Sequence, residues 1–407
     1  MNNYNLENIK KKKILCIFSK YAFGDFKLGL GPEYNNFYKS IKKIFYNVKF
    51  FNSYNLKKKI SETNSELYSF CKKYKPDIIF MSIVLYEIYT DNLERIKKDF
   101  KPIIINWNPD DSWRYEQHST FFLNYLDCAV TTYKPAHQNN LRKGFFSIRH
   151  SWGCPDHWLG SFKNSNNCKI DILFIGKRYM DRENFIKKIK ILGFNVVCYG
   201  DGWDNGPILD SKVSKMIQNS RITLNFSSSR GSIKQTKARV FEVTGAGGFC
   251  LSEYSDDLSD FFNIGKELDV FYDFKDMIKK IRFYLKNPSK RDFIAKQGNI
   301  KCKKFYAYSD IVKDIFHRVN KKYFLYKKNL ITENFNNKEK FLIYKNSSVY
   351  TFLKFYKFSS LIILNLFFSK KKSLKISRRV LFEIEIKLRK EKTYSSKGWC
   401  SNLFNLV

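Results

Sequence analysis

The sequence predicts an α/β protein made of two successive doubly wound units with parallel sheets. Short, nearly continuous apolar runs alternate with helix-length segments, the pattern of strands covered on both faces. That alternation restarts after a Trp-, Gly- and Pro-containing linker at 150–158, "HSWGCPDHW". The length of 407 residues is sufficient for two domains of ordinary size.

In the first unit "KILCIF" (13–18) reads as a buried strand, followed by a Gly-rich turn and a helix over 33–45, with Phe37, Ile41 and Ile44 at helical spacing. "VKFF" (48–51), "PDIIFMSIV" (76–84), "KPIIINW" (101–107), "DCAVTT" (127–132) and "GFFSIRH" (144–150) supply further strands. The second unit opens with "DILFIG" (171–176) and a helix over 182–193 that a glycine closes. Strands "FNVVCYG" (194–200), "RITLNFS" (221–227), "GFCLS" and "DVFYD" follow, with helices near 211–219, at "DDLSDFF" and over 274–285. Asn287-Pro288-Ser289 punctuates the chain and starts another helix.

Hydrophobic residues make up 43% of the chain and aromatics 17%, enough for packed cores and against wholesale disorder. The formal net charge of +36, from 74 Lys and Arg against 38 Asp and Glu, favours anionic ligands. Lys is nevertheless spread along the chain among Asn, Ile and Phe, as A+T-rich coding would produce, and the aromatics fall on core periodicity. No nucleic-acid partner is therefore expected, although a basic nucleic-acid-binding protein stands as the rival class. Nine cysteines without C-x-x-C spacing read as buried free thiols. The basic N-terminus precedes an apolar run too short for a signal peptide, so a cytoplasmic protein is expected.

The stretch "QTKARVFEVTGAGGFCLSEYS" (235–255) concentrates the chemistry. It follows a strand and a polar loop and precedes another strand, so 236–246 is expected to be a helix whose N-terminus lies at the carboxyl edge of the second sheet. Free N–H groups and the helix dipole there suit a diphosphate, and Lys237 and Arg239 add charge. Glu242 suits the hydroxyls of a ribose, or else forms a salt bridge to Arg239 on the same helix face. Gly245, Gly247 and Gly248 end the helix. In the first unit "NPDDSWR" places Asp110 and Asp111 directly after a strand, either as a general base with an acceptor contact or as a helix cap beside an exposed neighbour.

The segment 224–285 resembles the C-terminal domain of GT-B glycosyltransferases, most closely the CgeB-like, group-one branch, with its Q-x-K-x-R-x-F-E run, small residues, G-G-F-x-L-x-E and G-K-E. "WNPDDSWRYEQHS" (107–119) resembles the same branch, and the likeness extends over about 13–310. It implies two Rossmann-like domains facing a central cleft, an acceptor domain over 1–155 and a sugar-nucleotide domain over 156–322. Residues 323–407 have no counterpart in that likeness and read as a basic, partly helical C-terminal extension. The implied activity is sugar transfer from a nucleotide sugar to a carbohydrate or lipid-linked glycan, as in surface polysaccharide synthesis. Lys237, Arg239, Glu242, Gly247 and Gly248 would hold the donor, with Gly176 and Gly202 at the ends of neighbouring strands, and Asp110 and Asp111 would be catalytic. Gly202 lies in "YGDGWDNGP", which is equally a plain loop turn.

The broader E-x7-E pattern of that group finds its second carboxylate in Glu242, whereas its first falls on Lys234. A non-catalytic GT-B protein in surface or spore-coat assembly is the alternative this departure supports. No D-x-D pair is present at the expected place, so no cofactor and no metal are expected. His150, Cys154 and His157 have tempting spacing for zinc, but a structural or hinge role is favoured because no fourth ligand is evident. The apolar run 349–372, broken by Lys354 and Lys357, is either a helix packed on the main body or an interfacial helix. In the second case Lys370–Lys372 and Arg378–Arg379 would meet an anionic membrane surface.

Overall fold

A computed structural model describes residues 10–83, 85–228, 233–326 and 348–389. Residues 229–232 of the polar loop, Cys400, and the stretches 327–347 and 390–407 of the predicted tail lie outside them. The described chain divides into two compact units, one of residues 1–149 and 315–407 and the other of residues 150–314. The predicted bounds at 155 and 322 are thus shifted by several residues, and the tail counts with the first unit instead of forming a third body.

The first unit holds a six-stranded parallel sheet in the order β2-β1-β3-β4-β5-β6. Its strands are β1 (Lys13–Phe18), β2 (Asn47–Asn52), β3 (Ile78–Met81), β4 (Ile103–Asn108), β5 (Cys128–Thr131) and β6 (Ser147–Arg149). β1, β3 and β5 are buried almost throughout, which explains their unbroken apolar sequences. Helices α1 (Lys39–Ile44), α2 (Ile60–Tyr74), α3 (Thr90–Phe100), the single turn α4 (Asp111–Arg114) and α5 (Lys134–Arg142) connect them. α2 buries Ile60, Asn64, Leu67 and Cys71, one stripe at helical spacing. The helix expected over 33–45 begins with a π turn over Tyr34–Tyr38 before α1.

The second unit holds a five-stranded parallel sheet in the order β11-β10-β9-β7-β8. The strands are β7 (Ile170–Ile175), β8 (Val196–Tyr199), β9 (Ser220–Asn225), β10 (Cys250–Glu253) and β11 (Asp269–Phe271). The helices are α6 (Met180–Ile191), α7 (Asp210–Gln218), α8 (Ala238–Ala246), α9 (Phe274–Lys286) and α10 (Pro288–Phe305). Asp273 caps α9 by accepting from the Asp276 amide at 2.8 Å, and Pro288 opens α10 as the sequence suggested. "DDLSDFF" makes only a 3-10 turn at Leu258–Asp260. All eight described cysteines are buried and unpaired.

α11 (Tyr308–Tyr326) starts in the second unit and continues into the first. There its Phe316 packs on Phe45 and Phe80, with centroids 4.9 and 5.7 Å away. Two further helices, α12 (Ser348–Asn365) and α13 (Lys370–Arg389), complete the first unit. Leu353, Leu381 and Phe382 join its hydrophobic core. Lys375 and Arg379 pair with Asp91, and Arg378 lies over the Phe121 ring at 3.5 Å. Arg378 and Arg379, which the interfacial reading offers to a membrane surface, are thus engaged within the first unit. Among the described residues no helix is long and apolar enough to cross a membrane.

Candidate functional site

In an open parallel sheet, ligands bind beyond the carboxyl ends of the strands where the strand order reverses. In the second unit that point lies between β7 and β9. The chain leaving β9 is held by Glu253, the last residue of β10. Its carboxylate accepts from the Ser227 amide at 2.9 Å and the Ser228 amide at 3.2 Å, and Lys234 pairs with it at 3.2 Å. Burial alone would raise the pKa of Glu253, but the bonds from Lys234 and Ser228 bring it below the usual carboxylate range. The carboxylate therefore stays charged and pins both ends of the loop that leads into α8.

Lys237 is the N-cap of α8, in extended backbone, and its own side chain does not cap the helix. The Val240 amide bonds back to the Lys237 carbonyl at 3.2 Å, so an anion at this end would meet the amides of Ala238 and Arg239. Arg239 and Glu242 form an i,i+3 ion pair at 2.7 Å, which realises the salt-bridge alternative within the candidate site. Burial raises the Glu242 pKa, and Arg239 offsets part of that rise. At the ends of β7 and β8 the backbone draws close. Gly200, at φ +133, sits so near Gly176 that any Cβ on it would collide with the Gly176 carbonyl. Trp203 Nε1 donates to that carbonyl at 2.8 Å, and Arg178 donates to the Gly202 carbonyl at 3.0 Å. Gly176 and Gly202 therefore belong to the carboxyl edge, as expected.

Gly247 and Gly248 do not. α8 runs back from the carboxyl edge, so its far end lies at the amino edge of the sheet. Gly247 adopts the left-handed cap conformation at φ +92. A Cβ there would stand 2.9 Å from the Ser161 carbonyl oxygen, and one on Gly248 would strike Ile217. Both are packing glycines, which corrects their assignment to the donor. Sequence reasoning also passed over Glu253, although the G-G-F-x-L-x-E pattern carries it.

In the first unit the strand order reverses between β1 and β3. A cavity of about 190 Å³ opens there, lined by Ser19, Tyr21, Gly31, Glu33, Tyr54 and Glu87 among others. Glu87 is buried and accepts from the Leu85 amide at 2.8 Å. The pKa of Glu33 is raised to about 7, chiefly by burial, with Asp110 and Glu87 adding repulsion. The Tyr54 hydroxyl is buried in the same wall and has no hydrogen-bond partner among the described residues.

Asp110 and Asp111 are not an equivalent pair. Asp111 is fully buried; its Oδ1 accepts a hydrogen bond from Ser119, while Oδ2 has no hydrogen-bond partner among the described residues. Burial pushes its pKa to about 7 despite the Ser119 bond. It braces the turn and is not open to an acceptor, which corrects its catalytic assignment. Asp110 is half-buried at the N-cap of α4 and belongs to the charge cluster around Glu33.

The zinc trio does not converge. His150 pairs with Asp314 at 3.3 Å, His157 pairs with Asp210 at 2.6 Å, and Cys154 lies buried against α8. Among the described residues no group of three or more His, Cys, Asp or Glu is placed to hold a metal. A second crevice, between α13 and Tyr86, Tyr89 and Phe121, encloses about 20 Å³, room for a water and not for a sugar.

Residues 178–317 match a family model described as glycosyl transferase-like. No curated protein sequence matches significantly. Among solved structures, sucrose-phosphate synthase from Thermosynechococcus elongatus is similar with a TM-score of 0.56 at 10% identity, over 77% of this chain and 100% of that one. HepE from Anabaena, in complex with UDP-glucose, gives 0.55 at 9% identity, over 76% and 100%. The lipopolysaccharide outer core galactosyltransferase WaaB, in its apo form, gives 0.51 at 12% identity, over 75% and 99%. The chain has the GT-B fold, and the family match falls almost wholly on its second unit.

Proposed function

We propose that this protein transfers a sugar from a nucleotide-sugar donor held by its second unit to a carbohydrate or lipid-linked glycan. One observation supports the reading. α8 starts with Lys237 after β9, a strand flanking the reversal point of the second sheet, and carries the Arg239–Glu242 pair in its first turns, inside the segment that matches the glycosyl transferase-like family. Lys237 and the helix amides take the diphosphate and the charge that develops as it leaves, a role open to them without a metal. Glu242 accepts from a ribose hydroxyl, exchanging part of its pairing with Arg239 for it. The complex of HepE with UDP-glucose and the galactosyltransferase activity named for WaaB support a nucleotide-sugar donor and a glycan acceptor.

In the first unit Glu33 is the group best suited to take a proton from an acceptor hydroxyl. It lines a cavity, and a pKa of about 7 matches a general base working near neutrality. A lipid-linked acceptor would bring the enzyme to a membrane surface, in keeping with the CgeB-like, polysaccharide-building resemblance. Lys234, paired with Glu253 where the broader pattern has a carboxylate, favours the second reading of a binding protein without turnover.

Isothermal titration against a panel of sugar nucleotides, followed by detection of released nucleotide, separates the two. A transferase binds one donor and turns it over with acceptor, and Glu242→Gln weakens that binding roughly 10- to 100-fold, the worth of a charge-assisted bond. Binding without turnover would select the second reading. If Glu242→Gln bound every donor as the parent does, the assignment of this residue would fail.

A further inference from the structure

We infer that the outward face of α12 is a docking surface for an anionic lipid bilayer, and that α13 is the adaptor fixing it to the first unit. This stands apart from the transferase reading, since none of its residues belongs to the donor or acceptor sites.

α13 turns its Leu381, Phe382 and Ser377 inward, and Lys375 and Arg379 tie it to Asp91. α12 packs on α13 in turn. Leu353 is buried, the Tyr356 hydroxyl donates to the Ser377 carbonyl at 2.9 Å, and Ser360 bonds Ser377 Oγ at 2.6 Å. That stripe consumes one side of α12. The other side carries Phe355, Phe358, Ile362 and Leu366 at spacings of three, four and four residues. Phe355 is 69% exposed, Phe358 68%, Leu366 75% and the neighbouring Phe367 74%. Bulky aromatic and aliphatic side chains so exposed on one helical stripe, and again at the turn into α13, are not left in water without a partner.

Charge identifies that partner. Segment 348–372 contains five lysines and no Asp or Glu. Lys354 lies on α12, and Lys370, Lys371 and Lys372 gather just past the exposed Leu366 and Phe367. An apolar stripe flanked by cations, too short and too interrupted to span, is the pattern of a helix lying in the head-group plane. A protein of net charge +36 gains further from an anionic surface. A second copy of the chain would present the same lysines to each other across an isologous interface, which charge disfavours.

The test uses the full chain and vesicles of phosphatidylcholine with or without phosphatidylglycerol, read by co-sedimentation at low and high salt. The parent is expected to bind the anionic vesicles, with binding weakened by salt and by omission of phosphatidylglycerol. Phe355→Ser, Phe358→Ser, Ile362→Ser and Leu366→Ser together should cut partitioning at least tenfold while the melting temperature holds, since the four side chains are solvent-facing. Lys370→Gln, Lys371→Gln and Lys372→Gln should each cost about fivefold, on anionic vesicles only. Donor titration with the same variants should be unchanged, so failure of the transferase reading would leave the vesicle result standing. Equal binding by parent and four-serine variant would overturn the assignment. So would a parent that ignores vesicles yet sediments as a dimer which the serine variant dissolves, giving the face to a second copy.

Discussion

Replacing Glu33 by Gln should make the protein more stable and less active, with both effects set by pH. The pKa of Glu33 rises from 4.5 to about 7 in the folded chain. A carboxyl raised in this way binds more protons folded than unfolded between those two values. Stability therefore falls as pH climbs through that window, and the full cost of the charge is present above 7. The shift corresponds to about 3 kcal/mol, which the solvent reaching a half-buried residue screens to about 1–2 kcal/mol. Glu33→Gln keeps the shape and removes the charge. Urea denaturation should show the variant more stable than the parent by that amount well above pH 7 and indistinguishable from it below pH 4. Transfer by the parent should rise with pH through about 7, whereas the variant should lose roughly 100- to 10,000-fold, the usual worth of a general base. Asp111→Asn supplies the contrast, because its carboxyl is also raised to about 7 but is fully buried beside Ser119. That change should alter stability and leave the pH dependence of the rate in place. A Glu33→Gln variant of parental stability and rate at high pH would refute the role.

Phe382, buried in the core of the first unit and 5.9 Å from the Tyr86 ring, should cost about 3–5 kcal/mol when cut to Ala, seen as a lower melting temperature. For the same reason a chain ending near Tyr323 should lose stability as well as membrane binding, and only the surface substitutions on α12 separate the two. Transferase activity should survive excess chelator, because Lys237 and the start of α8 take the charge of the leaving diphosphate; loss on chelation with recovery on adding manganese would contradict this.

The strands were legible because parallel sheets bury both faces, so β3 is an unbroken apolar run and β1 and β7 are apolar apart from Lys13 and Asp171. The start of α8 was legible as well, since a strand, a polar loop and a cationic helix opening fix which edge of the sheet it occupies. The direction of that helix was equally available. Nine residues at 1.5 Å each carry Gly247 about 14 Å from the carboxyl edge, too far to touch a ligand there, yet the glycine motif drew it into the site. Glu33 was not legible. Its role depends on Glu87 and Asp110, which the sheet brings to one place from three separate connections, and no local pattern marks it. Asp110 and Asp111 look alike in sequence, and only burial tells them apart. The tail was half legible. The apolar run broken by Lys354 and Lys357 marked a helix, whereas the ion pairs of α13 with Asp91 depend on packing that no spacing reveals.

Hydrogen exchange with and without the sugar nucleotide that binds in the titration panel tests the placement of the donor most directly. Protection is expected at 176–179, 200–206, 233–242 and 253, the segments gathered at the reversal point of the second sheet, with none at Gly247 or Gly248. Protection confined to other segments, or to the amino edge around Gly247, would contradict a donor site at the start of α8.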